Sequence, residues 1–573
     1  RLVDTFVNSI WLYDDKLVLT YNFSGEKNKV TLEMVDAALD GCASGCSDKA
    51  CATPPTKTRH GFAMTGFCYV IFRFYLVRLT EICDNIKNAR GYMMKKATQI
   101  ESAPVFWYFE KICAIPHGSG DMDALSEYCM RFAEENGLQA VCDEAKNVVI
   151  YKPGTKGYEN AEPVILQGHL DMVCQKTENS TMDFAKDGIE AFTDGDFIKA
   201  KGTTLGADNG IAVSMIMTIL ASQNLPHPPI EAVFTTDEEI GMLGAQRLDT
   251  AVLKGRRMIN LDAEKAELLT VSCAGGSDCK LILPFDRKVV RGTKILLEIQ
   301  NLKGGHSGVD IDKGRVNANV LAGRILHHAR KTTAYDIIKI NGGTKGNAIP
   351  FCCKAELVVE DAERFIQFME DYCSVVKREI GDREEQCSIR VTMEAASEFE
   401  VLDSVARDKL LYMLLMTPNG VVDMSAEIDG LVETSLNLGI LMTEADEIVL
   451  QYALRSNKKS ALTYLEDKLA AFASYNDCRF GISGRYVPWE FKKDSPLQQL
   501  YMDAFCEKFG HKPQIAAIHA GLECAVFAQK MEGLDCIAIG PDMFDVHTVN
   551  EKLSISSTTE IFELLCVVLE RCK

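Results

Sequence analysis

Positive charge is in short supply. The 573 residues carry 62 Lys+Arg against 81 Asp+Glu, a formal net charge of −19. A surface with that balance repels phosphate backbones and anionic lipid, which excludes nucleic acid and membrane as the main partners. Long apolar runs are scarce as well: the stretch 67–83 is interrupted by Arg73, Arg78 and Glu81 and is too short and too charged to span a bilayer. No pattern of charged start, apolar run and small-residue cleavage site opens the sequence. The 21 cysteines fall into no regular framework, so reduced thiols and a cytoplasmic location are expected. With 47% hydrophobic and 25% charged residues, neither wholesale disorder nor a fibrous repeat fits. The chain is globular and too long for one core, so at least two domains are expected.

The first 93 residues differ from the rest. They are near neutral, so the acid excess falls on residues 94–573. Alternation over 16–23 and a Ser24-Gly25 turn suggest a hairpin. Cys42, Cys46 and Cys51 then lie in a loop-like segment with no fourth ligand at zinc-site spacing. This opening resembles the C-terminal end of large serine recombinases, through Leu2-Val-Asp-Thr-Phe-Val-Asn-Ser-Ile10 and Tyr13-Asp-Asp-Lys-Leu-Val-Leu-Thr-Tyr-Asn22. The likeness includes no recombinase active site. The chain opens on Arg1, and residues 1–93 are read as an appended or fused fragment ahead of a natural start at Met93 or Met94.

Beyond residue 102 helix and strand patterns alternate. Amphipathic helices are expected over 106–114 and 122–136. Short apolar strands over 147–151 and 163–167 look like members of a parallel sheet covered on both faces. An apolar helix over 210–223 and strands over 230–235 and 257–261 continue an α/β pattern. Residues 275–483 change character: β-branched strands at 294–300 and 388–392 alternate with long helices at 317–331 and 363–380, as in one enlarged inserted domain. The last 90 or so residues return to helix and strand and are expected to complete the first sheet.

Acidic and histidine residues gather at the ends of these strands. His169-Leu-Asp171 follows the strand at 163–167, and residues two apart on an extended segment share a side, so Asp171 can orient His169. In Gly202-Thr-Thr-Leu-Gly-Ala-Asp208-Asn-Gly210, Asp208 opens the apolar helix, where by itself it reads as an N-cap. In Thr235-Thr-Asp-Glu238-Glu239-Ile-Gly241, consecutive acids at the end of a buried strand repel unless a cation lies between them or one is protonated. Asn260-Leu-Asp262-Ala-Glu264 and Asp545-Val-His547 add a carboxylate and an imidazole. Two imidazoles and three carboxylates (His169, Asp208, Glu239, Asp262 and His547) suit two borderline-hard divalent ions such as zinc.

These segments, with Gly304-Gly-His306-Ser-Gly308 between them, occur in the order seen in the M20 family of metallopeptidases. The likeness runs from about residue 100 to 573. Phe109-Glu-Lys-Ile-Cys-Ala-Ile-Pro-His117 and His519-Ala-Gly-Leu-Glu-Cys524 resemble its aminoacyl-histidine dipeptidase branch. One departure is Val549-Asn550, where a proline is common. The resemblance implies an α/β zinc-peptidase catalytic domain, a mixed sheet flanked by helices, in two parts (94–274 and 484–573). An α+β, dimerisation-like lid over 275–483 would interrupt it. It implies two Zn2+ ions per chain, replaceable by Co2+ or Mn2+. Asp208 would bridge them, Glu239 and His547 would complete one site, and His169 and Asp262 the other. Glu238 would be the general base, Asp171 the partner of His169, and His306 the oxyanion donor from the lid. Asn347, Arg455 and His519 would hold substrate.

A dipeptidase acting on small peptides, Xaa-His among them, is the leading expectation, with a homodimer through the lid. An M20-type deacylase or aminotripeptidase shares the same fold. From another class, a non-catalytic peptide-binding or DNA-associated fusion protein is disfavoured by the complete acid and histidine set and by the lack of a basic stripe in residues 1–93.

Overall fold

The computed structural model describes residues 7–12, 17–21 and 104–573 apart from Thr332. The chain divides into two compact units, Arg1–Asp84 and Asn85–Lys573. In the first, Val7–Leu12 pairs antiparallel with Leu17–Tyr21. The strand at 17–21 therefore pairs with residues before it. The expected Ser24-Gly25 turn, the cysteine loop, the stretch 67–83 and Met93 and Met94 lie outside the described residues.

The second unit is built on two large sheets. The first has eight strands in the order Gln514–Ile518, Leu268–Cys273, Asp535–Ala538, Arg257–Asn260, Val164–His169, Ile230–Thr235, Val148–Lys152, Gln139–Cys142. Four neighbours, from Asp535–Ala538 to Ile230–Thr235, run parallel. Val164–His169 and Ile230–Thr235 are buried at every position, as parallel strands covered on both faces must be. Alternate side chains feed two separate cores: Val148, Ile150 and Leu166 on one face, Val149 and Ile165 on the other. Val148–Lys152 is antiparallel to Ile230–Thr235, against the parallel expectation. Apolar content fixes burial on both faces but says nothing about strand direction. Helix Ala207–Ala221 is apolar all round and almost wholly buried, sandwiched between the sheet and helix Pro104–Cys113. Residues from the end of the chain complete this sheet.

Gly275–Pro284 leaves the first sheet directly for the second, a nine-stranded antiparallel sheet that Arg479–Tyr486 closes at one edge. Four helices, Ala318–Ala329, Ala362–Ile380, Ser404–Met416 and Lys459–Tyr475, contribute to its core. In Ala362–Ile380 the buried residues Phe365, Met369, Cys373, Val376 and Ile380 form one stripe at three- and four-residue spacing. Asp361 caps that helix through Arg364 N, and Gly381 stops it. Removing a side chain such as Phe365 from this core costs about 3–5 kcal/mol. Among the described residues every cysteine is a free thiol, and no helix is long and apolar enough to cross a membrane.

Candidate active site

Parallel strands deliver their carboxyl ends to one edge of a sheet, the usual place for a binding crevice in an open α/β fold. Here Val164–His169 ends on His169, Ile230–Thr235 runs into Glu238 and Glu239, Arg257–Asn260 into Asp262, and Asp535–Ala538 into the loop bearing His547. Asp208 comes from the start of helix Ala207–Ala221, but it is no cap. Its φ/ψ of −80°/100° is not helical, and the residue at the N-cap position is Gly206, which has no side chain to cap. The carboxylate turns instead to the two imidazoles.

The five residues form an unbroken chain of contacts. Asp262 Oδ1 lies 3.5 Å from His169 Nε2, which lies 3.1 Å from Asp208 Oδ1. The other oxygen, Asp208 Oδ2, is 3.0 Å from His547 Nε2, itself 2.9 Å from Glu239 Oε1. Ligand atoms of His169, Asp208 and Glu239 all fall within 4.8 Å of one another. Apart from the short His547 contact, buried Glu239 Oε1 has no hydrogen-bond partner among the described residues.

Electrostatics show what this set demands. Asp208 is buried, which raises its pKa, but His169 and His547 overcome that and hold it well below the usual carboxylate range. Asp208 and then Glu239 push His547 up to about 11. Burial opposes charge on His169, yet Asp262, Asp171 and Asp208 raise it well above an ordinary imidazole. Burial lifts Asp262 to about 7. Burial also raises Glu238 well above the usual range, with Asp262, Glu523 and Glu239 adding to it against the pull of His169. Imidazolium protons here stand where divalent cations would neutralise the same carboxylates. The mixed N/O donor set and the orphaned Glu239 oxygen fit metal ions.

Supporting residues fix the donors. Asp171 Oδ1 accepts from Glu238 N (2.9 Å) while Oδ2 accepts from Glu239 N (3.2 Å) and Ser119 Oγ (2.8 Å). The main-chain carbonyl of Asp171 lies 3.0 Å from His169 Nδ1, and its carboxylate 3.5 Å away. Asp171 thus orients His169 and also the turn that carries both glutamates. Buried Asn209 accepts from His169 N (3.2 Å) and donates to Leu261 O (3.0 Å), tying together the exits that bear His169, Asp208 and Asp262. Gly206 has φ +71°, and a Cβ there would lie 2.8 Å from Met172 Sδ, so a larger residue would be strained.

The inserted domain and the sheet edge assemble a second group. His306 Nδ1 accepts from Gly308 N (3.2 Å) and Val309 N (3.3 Å), which leaves the ring proton on Nε2. Burial, then Arg455, lowers the His306 pKa, so the ring is neutral. Asn347 lies beside it on the two-stranded ribbon, its carbonyl accepting from Ser307 N at 2.9 Å. Arg455 is buried; its Nη1 donates to Tyr486 Oη (3.0 Å) and His519 O (3.2 Å), and its Nε has no partner among the described residues. Both His519 ring nitrogens face protein groups, Ser435 Oγ at 2.7 Å and Asn457 Oδ1 at 3.4 Å. His519 therefore reaches this group through its carbonyl, which holds Arg455. Burial, then Arg455 and His306, pushes His519 down to about 3.

Four participants escaped the sequence reading: Asn209, Tyr486, Glu523 and Glu551. Glu523 is wholly buried and accepts from Gln167 and Thr235 beneath the strand exits. A buried acid next to an apolar run was the available signal, but its partners are hundreds of residues away.

The family model for Peptidase family M20/M25/M40 matches residues 165–571. The cytosol non-specific dipeptidase of Escherichia coli (strain K12) is 35% identical over 481 residues, covering 83% of this chain and 99% of that protein. The crystal structure of aminoacylhistidine dipeptidase from Vibrio alginolyticus is similar at a TM-score of 0.78 and 35% identity, covering 83% of this chain and 98% of that one. The chain belongs to peptidase family M20/M25/M40.

Proposed function

We propose that this chain is a dipeptidase that holds two zinc ions and hydrolyses short peptides, including those ending in histidine. One observation carries the reading: the two imidazoles, His169 and His547, approach different oxygens of a single carboxylate, Asp208, at 3.1 and 3.0 Å. A carboxylate shared between two imidazoles in this way could serve two ions, one on each side. Asp208 would bridge, Glu239 and His547 would hold one ion, and His169 and Asp262 the other; Co2+ or Mn2+ would substitute. Such a pair, when bound, polarises the scissile carbonyl and makes water a stronger acid.

The protein's own groups do the rest. Glu238, its carboxyl raised by burial, takes a proton from the attacking water and delivers it to the leaving nitrogen. His306 Nε2 donates to the oxygen on which negative charge develops, an interaction worth about 3–4 kcal/mol in comparable sites. Arg455, buried with an unpartnered Nε, takes the substrate's carboxylate; Asn347 holds a second oxygen, and His519 sets the arginine. Because His306 and Arg455 belong to the inserted domain, closure of that lid accompanies turnover. The relatives' names support dipeptides as substrates and a cytoplasmic setting. A homodimer through the lid and a non-catalytic residue 1–93 segment complete the reading.

The test is a substrate panel: dipeptides with and without C-terminal histidine, tripeptides, and N-acetyl amino acids, given to zinc-loaded protein. Higher kcat/KM on dipeptides supports the reading. Preference for N-acetyl amino acids or tripeptides replaces it with a deacylase or tripeptidase.

A further inference from the structure

Glu551 stands four residues beyond His547, is 3% exposed, and makes no ion pair among the described residues. Its partners are main-chain amides from the far end of the catalytic sequence. Oε2 accepts from Leu205 N (2.8 Å) and Gly206 N (3.2 Å), and Oε1 from Ala207 N (2.9 Å) and Asp208 N (3.4 Å). Four consecutive N–H groups thus converge on one carboxylate. Amides at a helix entrance lack intrahelical partners, and Gly206 has no side chain to cap them. A negative charge there also faces the positive end of the helix Ala207–Ala221.

The segment that carries Glu551 is itself locked. Thr548 Oγ1 donates to Asp545 O (2.7 Å) and accepts from Asn550 N (3.1 Å), while Glu551 N donates to Thr548 O at 3.1 Å. His547 and Glu551 therefore sit on one short turn and grip the same residue twice. His547 meets the carboxylate of Asp208, and Glu551 holds its main chain.

We infer that Glu551 is the positioning residue for Asp208, fixing the bridging carboxylate for the metal pair through the amides of residues 205–208. This inference rests on the two-ion reading above. Glu551→Gln keeps the volume but turns an amide NH2 toward two N–H donors, so the grip loosens on one side. Glu551→Asp keeps the charge on a shorter arm. Glu231 supplies a matched control: equally buried, it accepts from Lys254 N and Gly255 N, but at the opposite end of strand Ile230–Thr235 from the site.

The experiment titrates Zn2+ into the metal-free full-length chain against a chromophoric chelator, with the Tm of each metal-free variant as the folding control. Loss of a group that supports a metal ligand typically weakens affinity by about 10–100-fold. That loss is expected for Glu551→Gln, with a smaller one for Glu551→Asp, while Glu231→Gln lowers Tm yet leaves Zn2+ affinity within about twofold of the parent. Unchanged affinity in both Glu551 variants, with Tm lowered, would reduce the residue to a structural one and overturn the inference alone. A parent chain that takes up no Zn2+ would overturn the two-ion reading and this inference with it.

Discussion

His547 Nε2 lies 3.0 Å from Asp208 Oδ2 across 339 residues of sequence. The contact joins a loop near the end of the chain to the entrance of a buried helix, and it places an imidazole on the carboxylate oxygen that His169 leaves free. If Asp208 bridges two ions, both its oxygens must be anionic. Asp208→Asn keeps the shape and removes that capacity. Its Zn2+ affinity is expected to fall at least about 100-fold, the upper end of what losing a ligand's supporting partner alone costs. Chelator competition measures it, and full retention of two ions by the variant would contradict the bridge.

His306 makes a separate prediction because it touches no proposed ligand. His306→Gln should retain bound metal and a near-normal KM while kcat drops by about 10²–10³-fold, the cost of an oxyanion donor. Metal analysis beside steady-state kinetics separates this from loss of the ions.

Arg455 is expected to read the substrate's carboxylate. The parent enzyme should therefore discriminate against C-terminally amidated dipeptides. A charge-assisted hydrogen bond of about 1.5–3 kcal/mol corresponds to roughly 10–100-fold. In Arg455→Met the KM for free dipeptides should rise by that factor and the discrimination should vanish. If both enzymes treat acid and amide alike, the arginine serves the lid instead.

Much of the catalytic sheet was readable because burial on both faces writes apolar runs into the sequence. Ile230–Thr235 appears at the expected bounds, and the strand expected at 163–167 needs only a small shift to Val164–His169. Strands with an exposed face read less well. Arg287–Gln300 begins seven residues ahead of the apolar run at 294–300, and Ser388–Leu402 continues ten residues past 392, since both carry charged and solvated side chains through their paired lengths. Strand direction was invisible at Val148–Lys152 because apolar content sets burial and not direction. In the site, residues that touch one another through side chains left motifs at strand ends. Asn209, Glu523 and Glu551 act largely on distant main-chain or buried polar groups, a partnership with no local period.

His519 ties stability to pH. Its folded pKa, near 3, lies below the ordinary 6.5 of an exposed imidazole. Between those values the unfolded chain binds a proton that the folded chain refuses, so folding weakens as pH falls through that window, by about 1.4 kcal/mol per unit. His519→Asn removes the refused proton. Between pH 7 and pH 4.5 the parent should lose about 2–3 kcal/mol more than the variant in denaturant melts. Equal losses would mean the ring takes up its proton in the folded state.

The most direct test joins the metal to the base. Zinc-loaded protein should hydrolyse dipeptides, fall silent with chelator, and recover when Zn2+ is restored. Glu238→Ala should bind the same amount of zinc yet turn over about 10²–10⁴-fold more slowly, the usual contribution of a positioned general base. No hydrolysis by the zinc-loaded parent, or undiminished turnover by Glu238→Ala, would contradict the account.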